Sequence, residues 1–219
     1  MKSATYFLLM AIGLLSCKLE PTEFISLQGY VRYIEPEHSI RGQFTIKSGM
    51  DSLHLTADTI ARKLAFQNQI LERKSYFQGY RYQLDEVADR TELIFVNLER
   101  ADGKPIGGRY EFPHASIQSV QYLDSTSRDI TVNWEGNEKN QDAQILCMII
   151  DEANHAVTFP ANTSSQKPIR IPAEDQEELQ KGMGKIYLIR QSWIKQIDAT
   201  SILNIQTEYY SKEFAFEIR

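Results

Sequence analysis

Alternation is the feature that most limits what this chain can become. Leu27, Gly29, Val31 and Tyr33 alternate with Gln28, Tyr30 and Arg32. Ile40, Gly42, Phe44 and Ile46 alternate with Arg41, Gln43 and Thr45, and Leu53 and Leu55 bracket His54. Period two places one set of side chains on each face of a strand, so a half-buried sheet is expected and an amphipathic helix is not. The turn clusters EPEHS and KSGMD separate these runs at the short spacing of antiparallel strands.

The same pattern continues along most of the chain. Residues 58–74, DTIARKLAFQNQILERK, admit two readings. Ile60, Ala61, Leu64, Ala65 and Leu71 make a helical stripe with Asp58 as a cap, whereas Leu64, Phe66 and Ile70 fit strands joined at Gln67-Asn68-Gln69, the reading favoured. YFQGYRYQL and TELIFVNLE are strand-like, and ADGKPIGG predicts a hairpin because its Asp-Gly and Gly-Gly pairs permit positive φ. From His114 onward, Ile130, Val132 and Trp134 share a face, and AQILCMII reads as a central strand buried on both faces. PAEDQEELQKG predicts one or two helical turns, since acidic residues open it and glycine closes it. GKIYLIRQSWIKQID and SILNIQTEYYSKEFAFEI complete the chain as strands. About seven short strands in each half is sandwich spacing. The expected fold is all-β, with two tandem antiparallel β-sandwich modules over residues 24–113 and 114–219, the second carrying one short helix.

With 42% hydrophobic and 11% aromatic residues, the chain can bury a proper core. A formal charge of −5 and no run of Lys or Arg lack the basic stripe of a nucleic-acid binder, so no nucleic-acid partner is expected. Cys147, inside QILCMII, reads as a small buried hydrophobe rather than a nucleophile.

At the N-terminus, Lys2 precedes an uncharged stretch from Tyr6 to Leu15, shorter than the ~20 residues that span a bilayer as a helix. That is the length of a signal-peptide core. Leu14-Leu15-Ser16-Cys17 resembles the bacterial lipobox. The resemblance implies a signal peptide over residues 1–16, lipid on Cys17 as the new N-terminus, and a tether over residues 17–23. It places the protein at the cell envelope, held to the outer membrane by its lipid, with several acyl chains giving a durable anchor. An ordinary secretory signal and an uncleaved anchor helix are the alternatives.

The second half resembles immunoglobulin-like and fibronectin type III-like modules, with Trp134 as core aromatic, although it lacks the paired cysteines of true immunoglobulin domains. The chain as a whole resembles the two-domain envelope lipoproteins of Bacteroidota. Asp51-Ser52-Leu53, Asp58-Thr59-Ile60 and Asp124-Ser125-Thr126 resemble the O-glycosylation sequon of envelope proteins in that group, which implies glycans on Ser52, Thr59 and Ser125.

Catalytic signatures are lacking. His38, His54, His114 and His155 are far apart, no HExxH, CxxC or EF-hand loop occurs, and no metal or cofactor is expected. There is no GxSxG elbow and no Walker loop; Gly182-Met183-Gly184 reads as a turn, and the acidic run at Glu174–Glu178 as a solvated face. Tyr76, Phe77, Tyr80 and Tyr82 crowd into YFQGYRY, and Tyr209 adjoins Tyr210. Packing accounts for such tyrosines in strands, and Tyr80 and Tyr82 share parity with Leu84. Tyr76, Tyr80, Tyr209 and Tyr210 are nevertheless the aromatic candidates for stacking on a ligand such as a sugar. The functional expectation is a lipid-anchored, non-enzymatic interaction protein taking an envelope protein or a glycan. A structural spacer or assembly factor, and a hydrolase with its site gathered from distant loops, are the alternatives.

Overall fold

A computed structural model describes residues 24–48, 61–76, 79–89, 91–100, 103–137, 143–161 and 168–219. Residues 1–23, over which a signal peptide, a lipidated Cys17 and a tether are expected, lie outside the described residues, as do Ser52 and Thr59. In the first half the strands are β1 (Ile25–Ile34), β2 (Ser39–Ser48), β3 (Ala61–Phe66), β4 (Gln69–Ile70), β5 (Arg73–Tyr76), β6 (Gly79–Val87), β7 (Leu93–Arg100) and β8 (Pro105–Glu111). In the second they are β9 (Ala115–Tyr122), β10 (Ile130–Gly136), β11 (Gln144–Asp151), β12 (Ala156–Ala161), β13 (Ile169–Ile171), β14 (Gly182–Ile197), β15 (Ser201–Tyr210) and β16 (Phe214–Ile218). The fold is all-β and sandwich-like, as the alternation requires. The ambiguous stretch resolves as strands: β3 and β4 pair through a tight turn whose Gln67 and Asn68 both hold positive φ, 48° and 66°. That is the geometry the twist of a two-residue hairpin selects.

One large sheet backs the whole molecule. Its order is β12-β11-β14-β15-β1-β2-β6-β5, with β16 also paired to β14. A four-stranded sheet, β4-β3-β7-β8, and a three-stranded sheet, β13-β10-β9, complete the architecture. Leu27, Val31, Phe44 and Tyr82 of the large sheet join Leu64, Phe66, Val96 and Leu98 of the four-stranded sheet in one core. Ile145, Cys147, Ile186 and Leu188 join Ile130, Val132, Trp134 and Ile169 in a second. Gly29 exists for the first core: a Cβ there would stand 2.5 Å from the Phe44 ring, so only glycine lets that ring lie across β1.

The cores do not follow the chain. Ile194, Leu203, Ile205 and Tyr209, all from β14 and β15, belong to the first core. The reason is the pairing of β1 with β15, from Ile25 opposite Ser201 to Ile34 opposite Tyr210. This ladder is parallel, unlike the antiparallel pairs expected throughout; parallel strands need a long connection, and here nearly the whole chain provides it. β14 is long enough to serve both cores, with Ile186 and Leu188 in the second and Ile194 in the first. Between them its inward positions turn polar. Ser192 bonds Thr207 of β15 at 2.7 Å, and Arg190 donates to the His114 carbonyl at 2.9 Å and to Asn137 Oδ1 at 2.8 Å. Arg190 is 4% exposed, and its burial lowers the guanidinium pKa.

Two local expectations are corrected and a third is refined. The Gly-Gly pair of ADGKPIGG is not in the hairpin turn: Gly107 and Gly108 lie inside β8, opposite Asn97 and Val96, while Gly103 carries positive φ in the connection. Gly107 is required there by its φ of 123° and because a Cβ would meet the Val96 carbonyl. β11 is buried on one face only: Ile145, Cys147 and Ile149 are sealed, while Leu146, Met148 and Ile150 are half-buried on the far side. The short helix expected in PAEDQ is present as a 3-10 turn over Ala173–Gln176, with Gln176 buried and donating to the carbonyls of Arg128, Ile171 and Pro172.

Two buried groups of β11 have measurable consequences. Cys147 is completely buried, and desolvation pushes its thiol up to about 12. The native protein should therefore leave Cys147 unmodified by a thiol reagent at neutral pH and expose its thiol to the reagent in denaturant, a titration that fails if labelling of Cys147 is fast without denaturant. The Asp151 carboxylate closes the β11–β12 turn, accepting backbone N–H groups from Gln180 and His155 at 2.9 Å each and facing His155 Nδ1 at 3.0 Å. The Gln180 bond is the chief cause of its lowered pKa; burial opposes and His155 assists. A depressed carboxylate stabilises fully above its unfolded value, about 3.9, and loses that contribution as pH falls through the folded value. Melting temperature measured from pH 6 down to pH 2 should fall less steeply below about pH 4 in Asp151→Asn than in the native protein.

Candidate functional site

The large sheet has a second face. The two smaller sheets pack on its inner side, and the outward residues of its central strands stand in transverse rows set by the register. One row runs Gln83, Gln43, Tyr30, Gln206 and Trp193, across β6, β2, β1, β15 and β14. The next runs Asp85, Arg41, Arg32, Glu208 and Gln191, and β11 extends it with Gln144. Gln28 and Asn204 flank the first row on its other side. Their neighbours along each strand point into the cores, so alternation alone commits these residues to the outer face.

At the centre of the face sits a polar network. Glu208 is 7% exposed although no sheet covers it, because long side chains lie over it. Arg32 approaches Glu208 Oε2 through Nε at 2.9 Å and Nη2 at 2.8 Å. Gln191 and Gln206 donate to Glu208 Oε1 at 2.9 and 3.0 Å, and the Tyr210 hydroxyl lies 3.5 Å from Oε2. Burial works against the charge of Arg32, but the hydrogen bond and negative charge of Glu208 outweigh it and raise its pKa. Burial, reinforced by Glu208, raises the Tyr210 phenol as well. The guanidinium lies 5.0 Å from the Tyr210 ring centroid and 5.9 Å from that of Tyr30, and Tyr187 packs 6.4 Å from Tyr210. Further out, Arg41 pairs with Glu37 and Asp85, and Lys185 with Glu213. The result is a broad surface of amides and aromatic rings whose strongest charges neutralise one another.

The aromatic candidates separate. Tyr210 belongs to this face, half-buried. Tyr209 does not: it is fully buried, stacked on Tyr33 at 5.7 Å with the His114 ring edge-on at 6.2 Å, and its hydroxyl donates to Glu35 Oε2 at 2.7 Å. Adjacent strand residues point to opposite faces, so the pair could not act together. Tyr82 is buried beside Leu84, as their shared parity predicts. Tyr76 and Tyr80 lie in β5 and β6, with side chains outside the described residues. Ser125 is exposed in a bend where the Asp124 carboxylate accepts the N–H groups of Thr126 and Ser127. Sequence reasoning missed Tyr30, Arg32, Gln43, Gln191, Trp193, Gln206 and Glu208. Their signal was present as the polar half of the alternation, but nothing local shows which polar halves adjoin.

Elsewhere, a shallow cleft of about 350 Å³ is lined by Gln67, Asn68, Leu93, Ile94, Phe95 and Arg109, and offers no acid–base pair. Among the described residues, no group of three or more His, Cys, Asp or Glu side chains could hold a metal ion. Among them also, no helix is long and apolar enough to cross a membrane.

No protein-family model and no curated protein matches this chain. Solved structures show distant likeness. The tetra-tandem repeat in the extending region of a large adhesion protein is 13% identical over 90% of this chain and 50% of its own, with a TM-score of 0.33. Dimeric latent PorU from Porphyromonas gingivalis is 10% identical over 80% of this chain and 18% of its own, at 0.28. The Bacteroides ovatus SGBP-B, solved with a mixed-linkage heptasaccharide, is 9% identical over 86% of this chain and 62% of its own, at 0.22. This chain spans half the length of the first of these and less than two thirds of the others.

Proposed function

We propose that this protein is a non-enzymatic binding protein of the bacterial envelope, held to the membrane by lipid on Cys17, whose large sheet presents its outer face to a glycan or an envelope protein. The observation that carries the reading is that face: a buried Glu208 paired with a half-exposed Arg32, holding two glutamines and lying against a tyrosine on a surface that neither smaller sheet covers. Fixing long side chains in advance removes part of the entropy cost of binding, which suits a recognition surface. The lipobox-like Leu14–Cys17 supports the anchor. An immunoglobulin-like character for the second module goes with the same reading and is supported by Trp134 in its core.

The test uses the native host. A diazirine side chain placed at Gln43, on the face, should capture a bound mass, while one at Lys63, exposed on the four-stranded sheet, should not. Cys17→Ser should move the protein from the membrane fraction to the soluble one. Equal capture at both positions, or membrane retention of Cys17→Ser, overturns the corresponding half of the reading.

A further inference from the structure

We infer that the outer face takes an uncharged oligosaccharide, laid across the strands along the row Gln43, Tyr30, Gln206 and Trp193. This rests on the binding reading above and specifies its occupant.

Charge comes first. The row contains no ionisable side chain other than the Tyr30 phenol; of its two neighbours, one holds its charges in the pairs Arg32–Glu208 and Arg41–Asp85, and the other has Thr45, Gln28 and Asn204 at its centre and carries cations only at its two ends, Arg81 on β6 and Lys195 on β14. An anionic chain would find no uncompensated cation at the centre of the face, and a cationic peptide no uncompensated carboxylate. A neutral ligand matches that balance.

The polar groups then say what kind of neutral ligand. Each glutamine offers a carbonyl acceptor and an N–H₂ donor on one planar group, which suits the neighbouring hydroxyls of a sugar, each both donor and acceptor. Gln206 and Gln191 are held by Glu208 at 3.0 and 2.9 Å, so their amides are oriented before a ligand arrives. A hydrophobic protein partner would leave this many amides unsatisfied beneath it, at a cost for each buried group.

Aromatic spacing sets the direction. Tyr30 is 38% exposed and Trp193 is half-buried, and Gln206 stands between them in register. Two strand spacings separate the aromatic positions, about 9.6 Å, roughly the length of two pyranose rings. Sugars carry an apolar C–H face that packs on an aromatic ring while their hydroxyls reach polar neighbours. A chain crossing the strands would thus meet a ring, an amide and a ring in turn.

Because Trp134 is buried in the second core and the chain has two tryptophans, Trp193 can serve as its own reporter in Trp134→Phe. The first experiment is an array of neutral oligosaccharides of graded length, with uronic-acid and sulfated chains beside them, probed with the intact mature protein. Retention confined to neutral chains is expected, together with protection of Trp193 fluorescence from iodide by the same chains. Trp193→Ala and Tyr30→Ala should each weaken binding about tenfold, and Lys63→Ala should leave it unchanged. Preference for anionic chains, or retention that ignores both aromatic substitutions, overturns the inference. An array with no neutral binder overturns it too, and the diazirine at Gln43 then separates two cases: a captured polypeptide leaves the binding reading standing with a different occupant, whereas no capture removes both.

Discussion

A chain ending at Pro113 is expected not to fold, although it contains every strand of the first half. Its core would lack Ile194, Leu203, Ile205 and Tyr209, which the intact protein supplies from β14 and β15. Burying residues of this size is worth about 1.5–3 kcal/mol each, so the four together come to about 6–12 kcal/mol. Domains of this kind have about 5–15 kcal/mol in total. The backbone loses as well, because β1 would exchange its ladder with β15 for an open apolar edge, which favours aggregation. Residues 114–219 should fare differently, since every member of the second core lies within them. That fragment should fold while exposing Ile194, Leu203, Ile205 and Tyr209. Circular dichroism and size exclusion on the two fragments, alone and mixed, decide the matter. A cooperative melt of residues 24–113 near the temperature of the intact protein would show that the first core does not need β15.

Tyr209 is where a single substitution should do the most damage. It is fully buried between Tyr33 and His114 at the far end of the β1–β15 ladder. Its hydroxyl donates to Glu35 Oε2, which also accepts the Lys212 N–H at 3.0 Å, so one carboxylate ties the end of β1 to the end of β15. Tyr209→Ala removes the ring and leaves a cavity, at an expected cost of about 3–5 kcal/mol. Tyr209→Phe keeps the ring and loses a hydrogen bond to a charged group, about 1.5–3 kcal/mol. Urea unfolding monitored by tryptophan emission gives both values. If Phe proves as costly as Ala, packing is not what the ring contributes; if Glu35→Ala is silent while Tyr209→Phe is not, Glu35 is not the acceptor that matters.

Much of the local structure was legible in the sequence, because alternation, turn residues and strand length act through neighbouring residues. Period two located β1, β2, β6 and β14–β16, and it also settled which residues of each strand share a face. Gln67-Asn68-Gln69 marked the joint between β3 and β4, and the structure narrows it to a two-residue turn at Gln67-Asn68, both at the positive φ a tight hairpin selects. Trp134, Tyr82 and Cys147 could be assigned to the interior from the parity or apolarity of their surroundings. Where the reading failed locally, a distant partner was responsible: Gly107 and Gly108 look like turn glycines, but the close approach of Val96 on β7 is what Gly107 accommodates.

Tertiary structure alone decided the rest. Parity divides Gln28, Tyr30 and Arg32 from Leu27, Val31 and Tyr33, yet it cannot say that Gln206, Glu208 and Tyr210 will stand beside them. That adjacency comes from pairing strands that are nearly the whole chain apart, and the choice is made by the apolar area the pairing seals. Leu203, Ile205 and Tyr209 find the first core by lying against β1, and the polar residues on the other side of the same strands are carried into register with it. The sequence determined the strands and their two faces; burial of one face, once the sheets closed, determined which residues meet on the other.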